Sequence, residues 1–132
     1  MKIDFKQEVL KRKDDILRDT IALLKINSEL TTYDPKSKTP FGPGINEALE
    51  YMLNLGKKDG FNVLNADGFA GHIELGNEDD YIGMIGHLDV VPAGSGWTYP
   101  AYGAEIHDGK LYARGAEDDK GPTMAAYYAM KI

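Results

Sequence analysis

The stretch His87-Leu88-Asp89-Val90-Val91-Pro92 directly follows the apolar run Tyr81-Ile82-Gly83-Met84-Ile85-Gly86. The apolar run predicts a β-strand over residues 81–85, and residues two apart on a strand point to the same side. His87 and Asp89 are therefore expected to face one site. A carboxylate beside an imidazole can fix the tautomer of the ring and raise its basicity, as is usual behind a metal-ligating histidine. The spacing predicts a metal site.

A second polar motif, Arg114-Gly115-Ala116-Glu117-Asp118-Asp119-Lys120-Gly121, lies downstream. It places two consecutive acids, Asp118 and Asp119, in a glycine-flanked turn that leads into a helix-like run over residues 122–132. Imidazole and carboxylate ligands together suit zinc, cobalt or manganese, and zinc is the commonest hydrolytic choice. The two motifs together indicate a metallohydrolase.

Length and composition limit the classes of protein that this chain fits. Its 132 residues, 42% of them hydrophobic, suit one globular unit. The net charge of −6, with bases interspersed among acids, argues against a nucleic-acid partner. The absence of cysteine excludes disulfides and thiolate metal sites. With neither a signal-peptide pattern nor an apolar membrane span, the expectation is a soluble cytoplasmic protein without a membrane partner.

Hydrophobic periodicity predicts helices first and strands afterwards, an α/β arrangement. Helices are expected over residues 5–27, 45–58 and 122–132. Further short strands are expected over residues 61–65, 69–75, 104–106 and 110–113. The dipeptides Asp67-Gly68 and Asp108-Gly109 fall between these strands and predict two hairpins.

The two polar motifs also carry a family resemblance. His-Leu-Asp-Val-Val-Pro followed by Asp-Asp-Lys-Gly resembles the zinc-dependent exopeptidases and deacylases that include carnosinases, aminoacylases, carboxypeptidase G and succinyl-diaminopimelate desuccinylase. Four further segments are similar to the bacterial PepV-type dipeptidases: residues 40–44 (Pro-Phe-Gly-Pro-Gly), residues 71–74 (Gly-His-Ile-Glu), residues 91–97 (Val-Pro-Ala-Gly-Ser-Gly-Trp) and residues 111–115 (Leu-Tyr-Ala-Arg-Gly). The resemblance implies the N-terminal part of a three-layer α/β/α zinc-exopeptidase catalytic domain, with helices followed by a mixed sheet.

The resemblance also implies roles for individual residues. His87 corresponds to the first metal ligand, Asp89 to the acid that orients it, and the acid opening Asp-x-Lys-Gly to the ligand that bridges two Zn²⁺ ions. The acidic doublet leaves Asp118 and Asp119 as alternatives, and the family pattern favours Asp118. Co²⁺ or Mn²⁺ could replace Zn²⁺. The family also implies a cis peptide bond between Asp118 and Asp119.

The remainder of the family site has no counterpart in the sequence. The family uses a Glu-Glu pair, whose first member is the general base, then a further acid and a second histidine. We therefore expect residues 1–132 to be a truncated portion of the catalytic domain, lacking the rest of that domain and the lid or dimerisation domain. The complete enzyme would hydrolyse dipeptides, with Xaa-His or β-alanyl dipeptides among the candidates, by attack of a metal-bound hydroxide. The fragment alone is expected to be inactive.

The two motifs are also compatible with two other functions. One is a deacylase or desuccinylase of the same family. The other is a short, non-catalytic metal-binding or interaction domain. The oligomeric state is not determined by the sequence.

For several further side chains, the favoured interpretation is a structural role. His72 is expected to be a hydrogen-bonded histidine of a strand, and His107 a solvated hairpin residue. Arg114 and Lys120 are expected to pair with the acids of the second motif and limit their repulsion. The aromatic residues Trp97, Tyr99 and Tyr102 are expected to pack a long loop.

Overall fold

The computed structural model describes residues 2–132 as four helices and two β-hairpins. In chain order the elements are α1 (Phe5–Lys11), α2 (Lys13–Leu24), α3 (Pro43–Lys58), β1 (Asn62–Ala66), β2 (Ala70–Glu74), β3 (Glu105–His107), β4 (Lys110–Tyr112) and α4 (Lys120–Lys131). The α/β class expected from the sequence is confirmed. Among the described residues, no helix is both long enough and apolar enough to cross a membrane.

The hydrophobic core lies where α2, α3 and α4 meet. Its buried members are Leu23, Ile26, Ala48, Met52, Leu55, Met124, Tyr127 and Tyr128. Burying a side chain of leucine or methionine size contributes about 1.5–3 kcal/mol, so these contacts dominate the packing of the helices. The tyrosine hydroxyls are also satisfied: Tyr128 donates to Asp19 Oδ2 at 2.6 Å, and Tyr127 donates to Asp59 Oδ2.

The N-terminal helical stretch is interrupted, so the prediction of one helix over residues 5–27 was wrong. At the interruption, the guanidinium of Arg12 donates to the carbonyl of Glu8 at 2.9 Å. In a continuous helix that carbonyl would accept from the Arg12 amide, which instead donates to Val9 O at 3.1 Å. Helix α1 buries no residue against the core, so packing does not hold it in line with α2.

Both hairpins form at the predicted dipeptides. Strand β1 pairs antiparallel with β2, and β3 with β4, with Asp67-Gly68 and Asp108-Gly109 in the turns. All four of these turn residues have positive φ, from 51° to 77°. Tight hairpin turns require this conformation, which glycine adopts freely and aspartate tolerates.

The strand predicted over residues 81–85 is not formed, so this prediction was wrong. A strand requires a neighbouring strand to satisfy its backbone groups, and residues 81–85 pair with no strand among the residues described. Ile82 and Ile85 are 95% and 102% exposed. Parallel pairing is confined to an isolated bridge between Glu29 and Val90, and both described sheets are two-stranded and antiparallel.

Candidate functional site

The loop that carries His87 is fastened by two hydrogen bonds to Ser28, which follows α2. The amide of Val90 donates to Ser28 O at 3.1 Å, and Ser28 Oγ donates to Leu88 O at 2.5 Å. These bonds extend the Glu29–Val90 bridge and fix the backbone on both sides of Asp89. Ser28 was not predicted as a site residue, because a serine shortly after a helix has no distinctive pattern.

The structure brings His87 and Asp89 together. His87 Nδ1 lies 3.2 Å from Asp89 Oδ1 and 3.1 Å from the backbone oxygen of Asp89. Both oxygens accept hydrogen bonds, so this environment favours the tautomer with hydrogen on Nδ1. In the neutral ring with hydrogen on Nδ1, Nε2 carries a lone pair, whereas in the protonated ring Nε2 also donates. The His87 side chain is 49% exposed, so this lone pair can meet a ligand from solvent.

The acids of the second motif lie next to the same imidazole but in different ways. Asp118 Oδ1 lies 3.1 Å from His87 Nε2, and the Asp118 side chain is 88% exposed. Asp119 Oδ2 instead accepts from the backbone amide of His87 at 3.1 Å and from Thr123 Oγ1 at 3.3 Å. Asp118 therefore presents its carboxylate beside the imidazole, whereas Asp119 ties the two motifs together. The peptide bond between them is cis, as the resemblance implies.

Gly86 allows the two motifs to approach each other. A Cβ atom at this position would lie 2.3 Å from Thr123 Oγ1 and 3.0 Å from Asp119 Oδ2. Any larger residue would push α4 away from the backbone of His87.

The electrostatic environment of His87 is acidic. Partial burial acts to lower its pKa, but the bonds to Asp118 and to the Asp89 backbone, together with the charges of Asp89 and Asp119, raise the pKa of His87 above its ordinary value. The site therefore attracts positive charge, either a proton or a metal cation.

The expectation that Arg114 and Lys120 pair with these acids was wrong. Lys120 is fully buried and its Nζ donates to Ile26 O at 2.6 Å; burial lowers the pKa of Lys120 to about 8. Arg114 donates to the carbonyls of Pro92 and Ala93, at 3.4 and 3.3 Å. Both side chains donate to backbone carbonyls of loops. A residue pattern does not predict this choice of acceptor.

The other two histidines lie away from this site. His107 Nε2 lies 2.7 Å from Glu105 Oε2, and its ring stacks on Tyr99 with centroids 3.6 Å apart. It is therefore a packed, paired residue and not the solvated one predicted. His72 lies on β2 opposite Leu64 and is exposed, which contradicts its predicted role as a hydrogen-bonded strand histidine.

Among residues 2–132, no group of three or more histidine, cysteine or acidic side chains is arranged to hold a metal ion. The donor pair present nevertheless suits one. Two ligand atoms that share a tetrahedral zinc ion at about 2.0–2.2 Å lie roughly 3.3 Å apart, close to the 3.1 Å between His87 Nε2 and Asp118 Oδ1. The two side chains supply part of a coordination sphere.

An apolar cavity of about 400 Å³ opens beside the imidazole. His87 and Asp89 lie on its border, and its other lining residues are Leu30, Phe41, Ile45, Leu49, Phe69, Ala70, Gly86 and Leu88. The polar pair thus adjoins an apolar recess, an arrangement common in small-molecule sites.

Comparison with known proteins gives the class of this site. Residues 83–132, which contain both motifs, match the model of "Peptidase family M20/M25/M40". The Bacillus subtilis protein "Putative dipeptidase YtjP" is 52% identical over 98% of this chain, and a "Putative dipeptidase" of Staphylococcus epidermidis is 45% identical over 97%. The crystal structure of human carnosine dipeptidase 1 superposes on 95% of the chain with a TM-score of 0.74 and 26% identity.

The proteins matched are thus a peptidase family and relatives named as dipeptidases. The chain is similar to peptidase family M20/M25/M40 over the residues that carry both motifs. It spans 28% of the length of the Bacillus subtilis relative, 27% of the Staphylococcus epidermidis relative and 29% of the human structure.

Proposed function

We propose that this chain is the N-terminal portion of the catalytic domain of a zinc-dependent dipeptidase with two metal ions. The observation that carries the proposal is the placement of Asp89 and Asp118 on opposite nitrogens of the His87 ring, at 3.2 and 3.1 Å. The dipeptidase names of the relatives support the substrate class.

His87 and Asp118 would hold metal in this proposal. Asp89 orients the His87 ring through Nδ1, which leaves Nε2 free as a ligand atom. Asp118 has a second carboxylate oxygen beyond the one that lies near His87, so it can bridge two ions. When bound, divalent metal polarises a scissile carbonyl and lowers the pKa of a water molecule. The remaining ligands and the general base would come from the rest of the dipeptidase.

Asp119 holds the two proposed ligands close to each other. Its carboxylate accepts a hydrogen bond from the backbone amide of His87, and this bond fixes the distance between the loop of the first motif and the start of α4. The apolar cavity beside His87 offers space for part of a small substrate.

The test uses the complete protein, purified with zinc and offered unblocked dipeptides, including β-alanyl-histidine. We expect hydrolysis of dipeptides, and we expect His87→Ala to remove most turnover and weaken binding of one metal ion. His72→Ala is the matched control, because it removes an exposed histidine outside the metal pair.

The outcome also separates the alternatives. Hydrolysis of N-acetyl or N-succinyl amino acids in preference to dipeptides would make the protein a deacylase of the same family. Full metal content and normal turnover in His87→Ala would remove His87 from the ligand set. Absence of any hydrolysis by the zinc-loaded protein would leave a non-catalytic metal-binding domain.

A further inference from the structure

A polar network holds the segment 88–93, and Ala93 is its centre. The amide of Ala93 donates to Glu29 Oε1 at 3.0 Å. Its carbonyl accepts from Trp97 Nε1 at 2.9 Å and from Arg114 Nη2 at 3.3 Å. The Arg114 guanidinium also lies over the Trp97 ring, 5.3 Å from its centroid. Both backbone polar groups of Ala93 are thus bound by side chains.

Glu29 also connects this network to Tyr102. The same oxygen, Oε1, accepts from the hydroxyl of Tyr102 at 2.6 Å. The bond from Tyr102 is the main cause that lowers the pKa of Glu29, and the Ala93 amide adds to it against a small opposing effect of burial. Glu29 is therefore an ionised carboxylate with two donors on one oxygen.

The backbone next to Glu29 holds the other end of the same segment. Glu29 bridges Val90 in parallel, and Ser28 bonds to both Val90 N and Leu88 O. Residues 28 and 29 thus bind positions 88, 90 and 93. Asp89, which orients the His87 ring, lies between these attachments.

We propose that Glu29 is a positioning residue of the metal site: its carboxylate fixes the segment 88–93 and so holds Asp89 against His87. The inference rests on the proposed function, because it concerns a site that binds zinc. Glu29 acts through the backbone of Ala93 and not through contact with a metal ligand. An uncharged, non-accepting side chain at position 29 would release the Ala93 amide and the Tyr102 hydroxyl together.

The experiment measures Zn²⁺ affinity of the complete apo-protein by competition with a chromophoric chelator, alongside kcat and KM for a dipeptide. We expect Glu29→Ala to weaken zinc binding and lower kcat by about 10-fold, the lower end of the roughly 10–100-fold cost of losing a direct outer partner of a metal ligand, because Glu29 acts through Asp89. KM should change little, because Glu29 does not line the cavity beside His87. Glu29→Gln should have a smaller effect, since its amide oxygen can still accept from Ala93.

Two further variants separate positioning from a general loss of stability. Tyr102→Phe removes one donor to Glu29 and should shift zinc affinity in the same direction as Glu29→Gln. Glu50→Gln is the matched control: Glu50 Oε1 accepts from Asn65 Nδ2 at 2.6 Å, on the α3–β1 side of the molecule. It should leave zinc affinity and kcat unchanged.

The outcomes are decisive in each case. Wild-type zinc affinity and kcat in folded Glu29→Ala would overturn the proposal. If Glu29→Ala does not fold, a loss of zinc affinity in Glu29→Gln but not in Glu50→Gln supports it, and equal affinities overturn it. If the wild-type protein binds zinc but hydrolyses no dipeptide, the proposed function fails, while weaker zinc binding by the Glu29 variants still supports positioning. A wild-type protein that binds no zinc would overturn both.

Discussion

At His87, the two ring nitrogens have different partners, and the partner on Nδ1 can be changed without removing a ligand. Asp89→Asn keeps the shape of the side chain but loses the charge that orients and polarises the imidazole. In the complete enzyme we expect metal content to remain near that of the wild type and kcat to fall about 10–100-fold. Steady-state kinetics and metal analysis measure both quantities. Asp79→Asn is the control, because Asp79 lies in an exposed turn. A wild-type kcat in Asp89→Asn would show that Asp89 has only a structural role.

The acidic doublet allows a second test at the residue scale. Asp118→Asn should weaken metal binding strongly, because Asp118 is the carboxylate that faces Nε2. Asp119→Asn should weaken it less, because an amide oxygen can still accept from the His87 amide and from Thr123. Calorimetric titration of both apo-variants with zinc gives the comparison. The reverse order of affinities would assign the ligand role to Asp119.

Between elements, one carboxylate adds to the apolar contact of α3 with α4. Asp59, which follows α3, accepts from Lys131 Nζ at 2.6 Å and from the hydroxyl of Tyr127. Partial burial acts to raise the pKa of Asp59, but the bonds from Lys131 and Tyr127, helped by the charge of Lys58, hold it below its ordinary value. The folded state therefore stabilises the ionised form.

The sign of the pH dependence follows from this lowered pKa. The contribution of Asp59 is complete above the unfolded value near 3.9 and is lost as the pH falls through the lower folded value. We expect Asp59→Asn to destabilise the protein by about 1 kcal/mol at pH 7, and the difference from wild type should shrink below pH 4. Urea unfolding at pH 7 and pH 3 measures it, with Asp79→Asn as control. A difference that is constant with pH would contradict the assignment.

Elements whose conformation depends on residues close in the chain could be predicted from the sequence. The two Asp-Gly turns and the amphipathic periodicity of α3 depend on residues close in the chain, and the structure confirms them. His87 and Asp89 do lie together, although the strand on which that prediction rested is not formed. The interruption at Arg12 could not be predicted, because it depends on a side chain that binds a helix carbonyl. Arg114 and Lys120 donate to backbone carbonyls, and Glu29 accepts from a backbone amide and from Tyr102, which is 73 positions away; no residue pattern predicts these partners.

At the scale of the whole molecule, the described residues bring two of the proposed metal ligands together. A hydrolytic zinc usually has three protein ligands and a water, whereas His87 and Asp118 would provide two side chains for the proposed pair of ions. The 132 residues purified alone should therefore lack dipeptidase activity, since general-base help alone is typically worth about 10²–10⁴-fold. An assay of the chain with zinc and a dipeptide measures this, with the complete enzyme as positive control. Zinc-dependent hydrolysis that survives removal of contaminating peptidase would contradict the expectation.

The bonds that fasten the loop of His87 also determine when in folding that loop can become ordered. Ser28 and Leu88 are 60 positions apart in the chain, Glu29 and Ala93 are 64, and Glu29 and Tyr102 are 73. The entropy lost in closing a loop grows with its length, and contacts between distant positions form slowly. The hairpins and helices can therefore form before the segment 88–93 is anchored. In a refolding experiment, circular dichroism should therefore report helix formation before zinc binding reports the anchored imidazole.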